Sequence, residues 1–495
     1  MISLFLYYPT SFTYIFTFIV FALTIYWWNK HQREPSRLPP GPFSWPIVGS
    51  LPSIVVQLYR SGLRLPAFLQ QMGRQFGPIF TVNICGVNII VLGDYARIKE
   101  AFQHPNLSDR PTNNLGTKYV GGDGVGLSSG DIWKRQRKFT LTTFRNLGLG
   151  KASFESIMIT ECQELAKEIT RHVNDAFSPQ ILFPNASANV ICSFAFGRRY
   201  EYTDVEFQFL LNSIDKIDQR IREVGGLQLL LPIFKYIPTR RRQQLGKDLT
   251  ELAQFVDKIV EEHKVNFDPE NPKDYIDIFM KEIQSSGGLL TYGNLRGTVT
   301  GLFFAGAGTT SNTMRWAIYC MLKYPDVQMA VQAELDEVIG HERMPIMSDK
   351  DSLPFTMTTI LEIHRFGSTA RFGPMHVASC DVELCGYHIP KGSYLLSSLW
   401  AVHHDPNIWT DPEEFKPERF LNRDGKVTRP AEHIPFSIGR RVCPGESMAK
   451  IQIFIFFTNL LHRFTFIYPD GAEPLPNIDG AQPIPEFLAT AIPRF

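Results

Sequence analysis

A chain of 495 residues, 44% hydrophobic and 20% charged, is long enough to bury a large core and to divide into two subdomains. A formal net charge of +1 gives no basic or acidic excess, so no nucleic-acid partner is expected. Seven cysteines, odd in number, scattered and without a C-x-x-C pair, exclude a disulfide framework and a zinc site and point to a reducing compartment.

Residues 1–29 carry no charged side chain, and Phe12 to Trp28 is an apolar run of 17 residues, near the lower limit for a bilayer span. Trp27 and Trp28 stand where an interfacial aromatic belt stands, and Lys30, His31, Arg33 and Arg37 follow. Positive charge on that flank places it in the cytosol. A cleaved signal peptide fits less well, because there is no cationic n-region and no small-residue cleavage site. Six prolines between Pro35 and Pro52 then make a stiff, extended spacer. The expected division is a membrane anchor over 1–29, a proline-rich hinge over 30–52 and one large domain over 53–495.

From about Phe76, "GPIFTVNICGVNIIVLG" is β-like, with β-branched residues broken by glycine. Most of 130–340 has a helical pattern, interrupted by loops such as "NFDPENPKD", and a second β-like patch reads "CDVELCGYHIPKGSYLL". The domain is expected to be mainly α with a small β region. The segment 200–245, with "TRRRQQ" at 239–244, is expected to shape substrate access near the membrane.

Four stretches invite a chemical reading. "WKRQRKF" puts Trp133 and Arg137 at i, i+4 on what is otherwise a basic, solvated helix. "LRGTVTGLFFAGAGTTSNTMRWAIYCMLKYPD" reads as one long helix that carries Gly297, Gly301, Gly306 and Gly308. Each glycine costs about 1 kcal/mol against alanine, so close packing or a local function is expected. "LEIHR" sets Glu362 and Arg365 on one helix face, by default a surface pair of little worth. Finally, "PFSIGRRVCPGESMAKIQIFIFF" holds one thiol, Cys443, between Gly439 and Gly445, with Arg441 two residues earlier. It is a buried inert cysteine, a nucleophile, half of a disulfide or a metal ligand; a ligand needs a positive setting and amide donors from the following helix.

The frame Phe436-x-x-Gly439-x-Arg441-x-Cys443-x-Gly445 resembles the haem-binding loop of the cytochrome P450 family, and the other stretches agree with it. "FTLTTFRNLGLGK" and the "LPPGP" hinge resemble the animal microsomal branch called family 2. The resemblance implies the cytochrome P450 fold with haem b, and Cys443 as thiolate ligand of the iron. It implies Trp133, Arg137, His376 and Arg441 as partners of the haem propionates, and a buried structural triad of Glu362, Arg365 and the Arg419 of "PERF". Gly306 would let the long helix open beside the iron, with Thr309 and Thr310 in the oxygen pocket. Phe303, Phe304, Ala305, Ala370, Phe372, Ile484 and Phe487 are candidates for the substrate cavity. Lys134, Arg135, Lys138 and Arg440 would form a positive face for an acidic reductase. No G-x-G-x-x-G opens a βαβ unit, so electrons would come from NADPH through a separate membrane-bound reductase, with cytochrome b5 as auxiliary. The implied reaction inserts one atom of O2 into a lipophilic molecule at the endoplasmic reticulum membrane.

Two positions depart from the family pattern. Gly308 stands where an acid usually precedes the threonine, so poorer coupling is expected. Arg371 stands where proline is usual, either facing solvent or meeting a substrate carboxylate. Two rivals remain: a reductase-independent enzyme that rearranges hydroperoxides, favoured only by Gly308, and a non-catalytic haem-binding protein.

Overall fold

Prolines and short polar caps mark where helices begin in the computed structural model, which describes Phe18 and residues 38–111, 115–148, 152–172, 175–230, 239–472, 475–478 and 480–495. Helices α1 (Leu51–Ser61) and α2 (Leu65–Phe76) each carry proline in the first turn, where a missing N–H is harmless. Strands β1 (Ile79–Ile84) and β2 (Val87–Leu92) follow. Then come α3 (Tyr95–Gln103), α4 (Leu115–Val120), α5 (Gly130–Asn146), α6 (Ala152–Arg171) and α7 (Pro179–Ala195). The middle of the chain is α8 (Val205–Leu230), α9 (Arg240–Asn266), α10 (Tyr275–Ser285), α11 (Tyr292–Lys323), α12 (Pro325–Ile339) and α13 (Pro354–Gly367). The last third holds β3 (His376–Val377), β4 (Val382–Leu384), β5 (Tyr387–Ile389), β6 (Tyr394–Ser397), α14 (Leu399–His403), α15 (Glu446–Arg463), β7 (Phe464–Ile467) and β8 (Thr490–Pro493).

Both β-like patches are hairpins turned by a Cys-Gly pair. Cys85 and Gly86 have φ of 49° and 86°, and Cys385 and Gly386 have 52° and 79°. Two successive positive values suit the right-handed twist of a two-residue hairpin. The first hairpin extends into a four-stranded sheet, order β1-β2-β6-β3, in which β2 and β6 run parallel.

Helix α11 is the axis of the helical part. Thr291 and Asn294 form a reciprocal capping box at its start, and Pro325 follows its end. It packs on α7, α9, α13 and α15, and the core around it includes Trp316, Tyr319, Phe303 and Met314, all close to fully buried. The expected anchor and the start of the hinge lie outside the described residues, Phe18 apart. Among the described residues no helix is long and apolar enough to cross a membrane.

Candidate functional site

The cysteine loop closes against α3. Gly439 has φ of 78°, and a Cβ there would sit 2.4 Å from the carbonyl oxygen of Phe102, so only glycine fits. The Cys443 N–H donates to the Phe436 carbonyl at 3.1 Å. The N–H groups of Gly445 and Glu446, at the start of α15, act to lower the pKa of the Cys443 thiol. All seven cysteines are free, and Cys443 is exposed while Cys162, Cys192 and Cys320 are buried. The sulfur is reachable yet hemmed in by protein: burial raises its pKa, against the Gly445 N–H and the charge of Arg137, with Glu446 adding to the rise. A thiol held up in this way is a poor nucleophile by itself, whereas a metal ion displaces such a proton on binding.

Three arginines gather beside this loop. Arg137 Nη2 donates to the Val442 carbonyl at 2.6 Å. Arg441 donates to the carbonyls of Ser108 at 2.8 Å and Ser128 at 2.6 Å, with its guanidinium 3.8 Å from the centre of the Trp133 ring. Arg110 donates to the carbonyls of Gly126, Pro374 and Met375 at 3.1, 2.9 and 2.8 Å. Burial, then the charge of Arg137, lowers Arg110 to about 10. Burial, then the charges of Arg110 and Arg137, lowers Arg441 to about 9, with Asp109 opposing. Buried like charges held this close call for an anion. Trp133 Nε1 is buried without a partner, an unmet donor in the same place. His376 stacks on Phe102 at 4.0 Å and its Nδ1–H donates to the Leu107 carbonyl at 2.8 Å. Burial and the charge of Arg110 hold it at about 3, so the ring is neutral. An anion beside its Nε2 would return the proton and make that nitrogen a donor.

Helix α11 presents one open face in an otherwise packed setting: Gly301, Ala305, Gly308 and Thr309 are exposed. Thr309 Oγ1 donates to the Ala305 carbonyl at 2.6 Å. Thr310 is buried, so the two adjacent threonines are separated. The helix is continuous, which corrects the expectation of a local opening at Gly306. That glycine serves packing instead: a Cβ there would meet Ile191 Cδ1 at 2.6 Å. At Gly308 nothing lies within 4 Å of an added Cβ.

Among the cavity candidates, Ala305 and Ala370 are exposed and Phe304 is half-buried. Phe303, Ile484 and Phe487 pack in the core, Phe303 stacked on Phe196 at 5.2 Å and Phe487 edge-on to Tyr319. Phe372 packs in the smaller cluster around the sheet. Arg371 is half-buried and donates to the carbonyls of Gly480 and Gln482, tying the loop after α13 to the C-terminal segment. Lys134, Arg135, Lys138 and Arg440 are exposed, but Lys134 pairs with Asp131 and Arg135 with Glu282, so part of that positive face is neutralised. Glu362, Arg365 and Arg419 meet as expected, with Arg419 Nε 3.0 Å from Glu362 Oε1. Arg110 was missed in the sequence, where "SDRPTNN" gives no spacing or motif to single it out.

These features fit a flat, iron-bearing macrocycle with two carboxylates: a reachable thiol, buried and half-buried arginines without a carboxylate partner among the described residues, an unmet indole N–H and an open helix face. Comparison with known proteins agrees. The family model for Cytochrome P450 matches residues 39–490. Cytochrome P450 2J2 of Homo sapiens is 36% identical over 450 residues, covering 89% of this chain and 88% of that protein. Cytochrome P450 2U1 of Bos taurus is 34% identical over 481 residues, covering 90% and 88%. Cytochrome P450 2D6 of Homo sapiens is 35% identical over 496 residues, covering 96% and 97%. A sequence match of this extent, together with the cysteine loop, establishes that the chain belongs to the cytochrome P450 family, haem-binding monooxygenases held to their cofactor by a cysteine thiolate.

Proposed function

We propose that the chain is a microsomal haem-thiolate monooxygenase of lipophilic small molecules, with Cys443 as iron ligand and Arg110, Arg137, Arg441, Trp133 and His376 around the propionates. The observation that carries this reading is the gathering of three arginines and an unmet Trp133 N–H beside the one reachable cysteine of the loop. Haem supplies the activation of O2; the chain supplies position, dryness and protons. The N–H groups of Gly445 and Glu446 take up part of the sulfur's negative charge, which tunes the ligand. Gly439 brings the loop against α3, and Phe436 holds the Cys443 amide. On the other side, Ala305 and Phe304 give an apolar wall, and Thr309 Oγ1 offers a hydroxyl that must leave the Ala305 carbonyl to donate elsewhere. Gly308 leaves room for water beside it, so water takes over the proton relay usually given to an acid.

In this reading residues 1–29 anchor the chain in the endoplasmic reticulum membrane, and the exposed Lys138 and Arg440 contribute to docking of a reductase supplied with NADPH, with cytochrome b5 as auxiliary. The test is purified protein with reductase in lipid, following NADPH consumption and oxygenated product over a panel of fatty acids and other lipophiles. Reductase-dependent product supports a monooxygenase. The missing acid at Gly308 favours one second reading, the rearrangement of hydroperoxides. Rapid conversion of a lipid hydroperoxide without NADPH, and no product with it, would establish that reading instead.

A further inference from the structure

Behind the cysteine loop lies a cavity of about 490 Å³, between α13, the start of α15 and the segment 425–436. That volume is within the roughly 300–1,000 Å³ of small-molecule sites. Its floor is apolar, with Met347, Met357, Ile360, Leu361, Phe436 and Phe454. Its rim carries Lys350, Lys426, Arg429 and Lys450 against one acid, Asp351. Lys450 is paired with Glu446 at 2.5 Å, and Arg429 donates to His433 Nδ1 at 3.1 Å and to its carbonyl. No carboxylate pairs with Lys350, Lys426 or Arg429 among the described residues, so positive charge remains in excess. A buried histidine adjoins the same space. His364 lines the cavity, is 8% exposed, and its Nε2 has no partner. Burial, then the charges of Lys450 and Arg429, lower its pKa to about 3, so the positive field reaches the buried ring.

We propose that this cavity is a second ligand site, separate from the haem side, for a single-chain carboxylate whose apolar body packs on Met357, Leu361 and Phe436 and whose head meets Lys350, Lys426 and Arg429. Charge excess at the mouth over a greasy floor selects an amphipathic anion against both a neutral lipophile and a free inorganic anion. Occupancy reaches the cysteine loop through Phe436, whose ring lines the cavity and whose carbonyl holds the Cys443 amide.

The test uses full-length, haem-loaded protein in detergent, with an iron-ligating azole filling the substrate side. A dodecanoate carrying a terminal diazirine is photolysed, and the labelled peptides are mapped. Labelling of 347–361 and 425–436 is expected, falling at least tenfold in a K350E/K426E variant and for the matching dodecanol probe. Both lysines are exposed, so the variant keeps its core. Equal labelling by the alcohol, labelling unchanged in the variant, or labelling only by a two-chain phosphatidic acid probe overturns the proposal. So does an absence of label, and if the variant then also loses reductase-driven haem reduction, the rim belongs to an acidic protein partner instead. The readout is the label, so its failure leaves the monooxygenase reading standing.

Discussion

Arg365 grips Glu362 with two parallel hydrogen bonds, Nε to Oε2 and Nη2 to Oε1, each 2.7 Å, where neither side chain has any solvent exposure. Its other three N–H groups go to the carbonyls of His403, Pro412 and Glu414 at 2.9, 2.8 and 3.0 Å, so all five donors are met. Breaking the pair strands a buried charge. Glu362→Ala and Arg365→Ala should each cost roughly 3–5 kcal/mol. Arg365→Lys should fail nearly as badly, because an ammonium cannot make the planar fork. Thermal melts and the yield of folded protein check this, and a double variant less harmed than the sum of the singles would measure the coupling.

The arginine cluster predicts weaker cofactor retention when one of its members is removed. Arg110→Ala and Arg441→Ala should each release haem to an excess of scavenging apoprotein at least tenfold faster, the loss of a charged partner being worth about 1.5–3 kcal/mol. Arg110→Lys should restore part of it. Unchanged release from Arg110→Ala would remove that residue from the propionate set.

Besides His376 at the arginine cluster, four buried histidines predict acid sensitivity. Burial pushes His364 and His404 down to about 3 and His403 and His433 well below the ordinary value. The unfolded chain therefore binds protons near pH 6.5 that the folded chain refuses. Stability should fall as pH drops below that value and be fully present above it, with a limiting slope of roughly 5 kcal/mol per pH unit when all four titrate. Denaturant midpoints at a series of pH values measure it. His404→Gln should flatten the slope by about one proton, and an identical slope would contradict the assignment.

The open space at Gly308 predicts that Gly308→Glu is tolerated. We expect more product per NADPH, because the carboxyl would add a proton-carrying group beside Thr309. Equal or poorer coupling in a well-folded variant would refute the idea.

Gly306 and Ile191 should behave as a pair. Gly306→Ala drives a methyl into Ile191, an overpacking that costs about 1–3 kcal/mol. Ile191→Ala alone leaves a void, and the two together should cost less than their sum. Additive losses in urea unfolding would show that the helices part without resistance.

What the sequence disclosed was whatever is written locally. Glu362 and Arg365 are one helical step apart, the two hairpins carry their own Cys-Gly turns, and the cysteine loop is a single run of residues. Contacts between distant segments were hidden. Arg110 gains meaning only when the carbonyls of Pro374 and Met375 arrive beside it, and Arg371 only when Gly480 and Gln482 do. The reading of Phe303 failed on helical geometry. It stands two residues from Ala305, about 200° around the helix, so one cannot face the open space that the other faces. For Gly306, close packing and local opening predict the same letter, and only the position of Ile191 decides between them.

Arg441 joins carbonyls that lie 333 and 313 residues earlier in the chain, at Ser108 and Ser128. The consequence concerns biosynthesis. While the chain is being made, its first third must wait, with the cradle half built, for a loop that emerges near the end. Contacts of such range form late, so no shortened product can keep partial function by retaining the front of the molecule. A cofactor held by both segments can therefore be bound only once the later loop has been made.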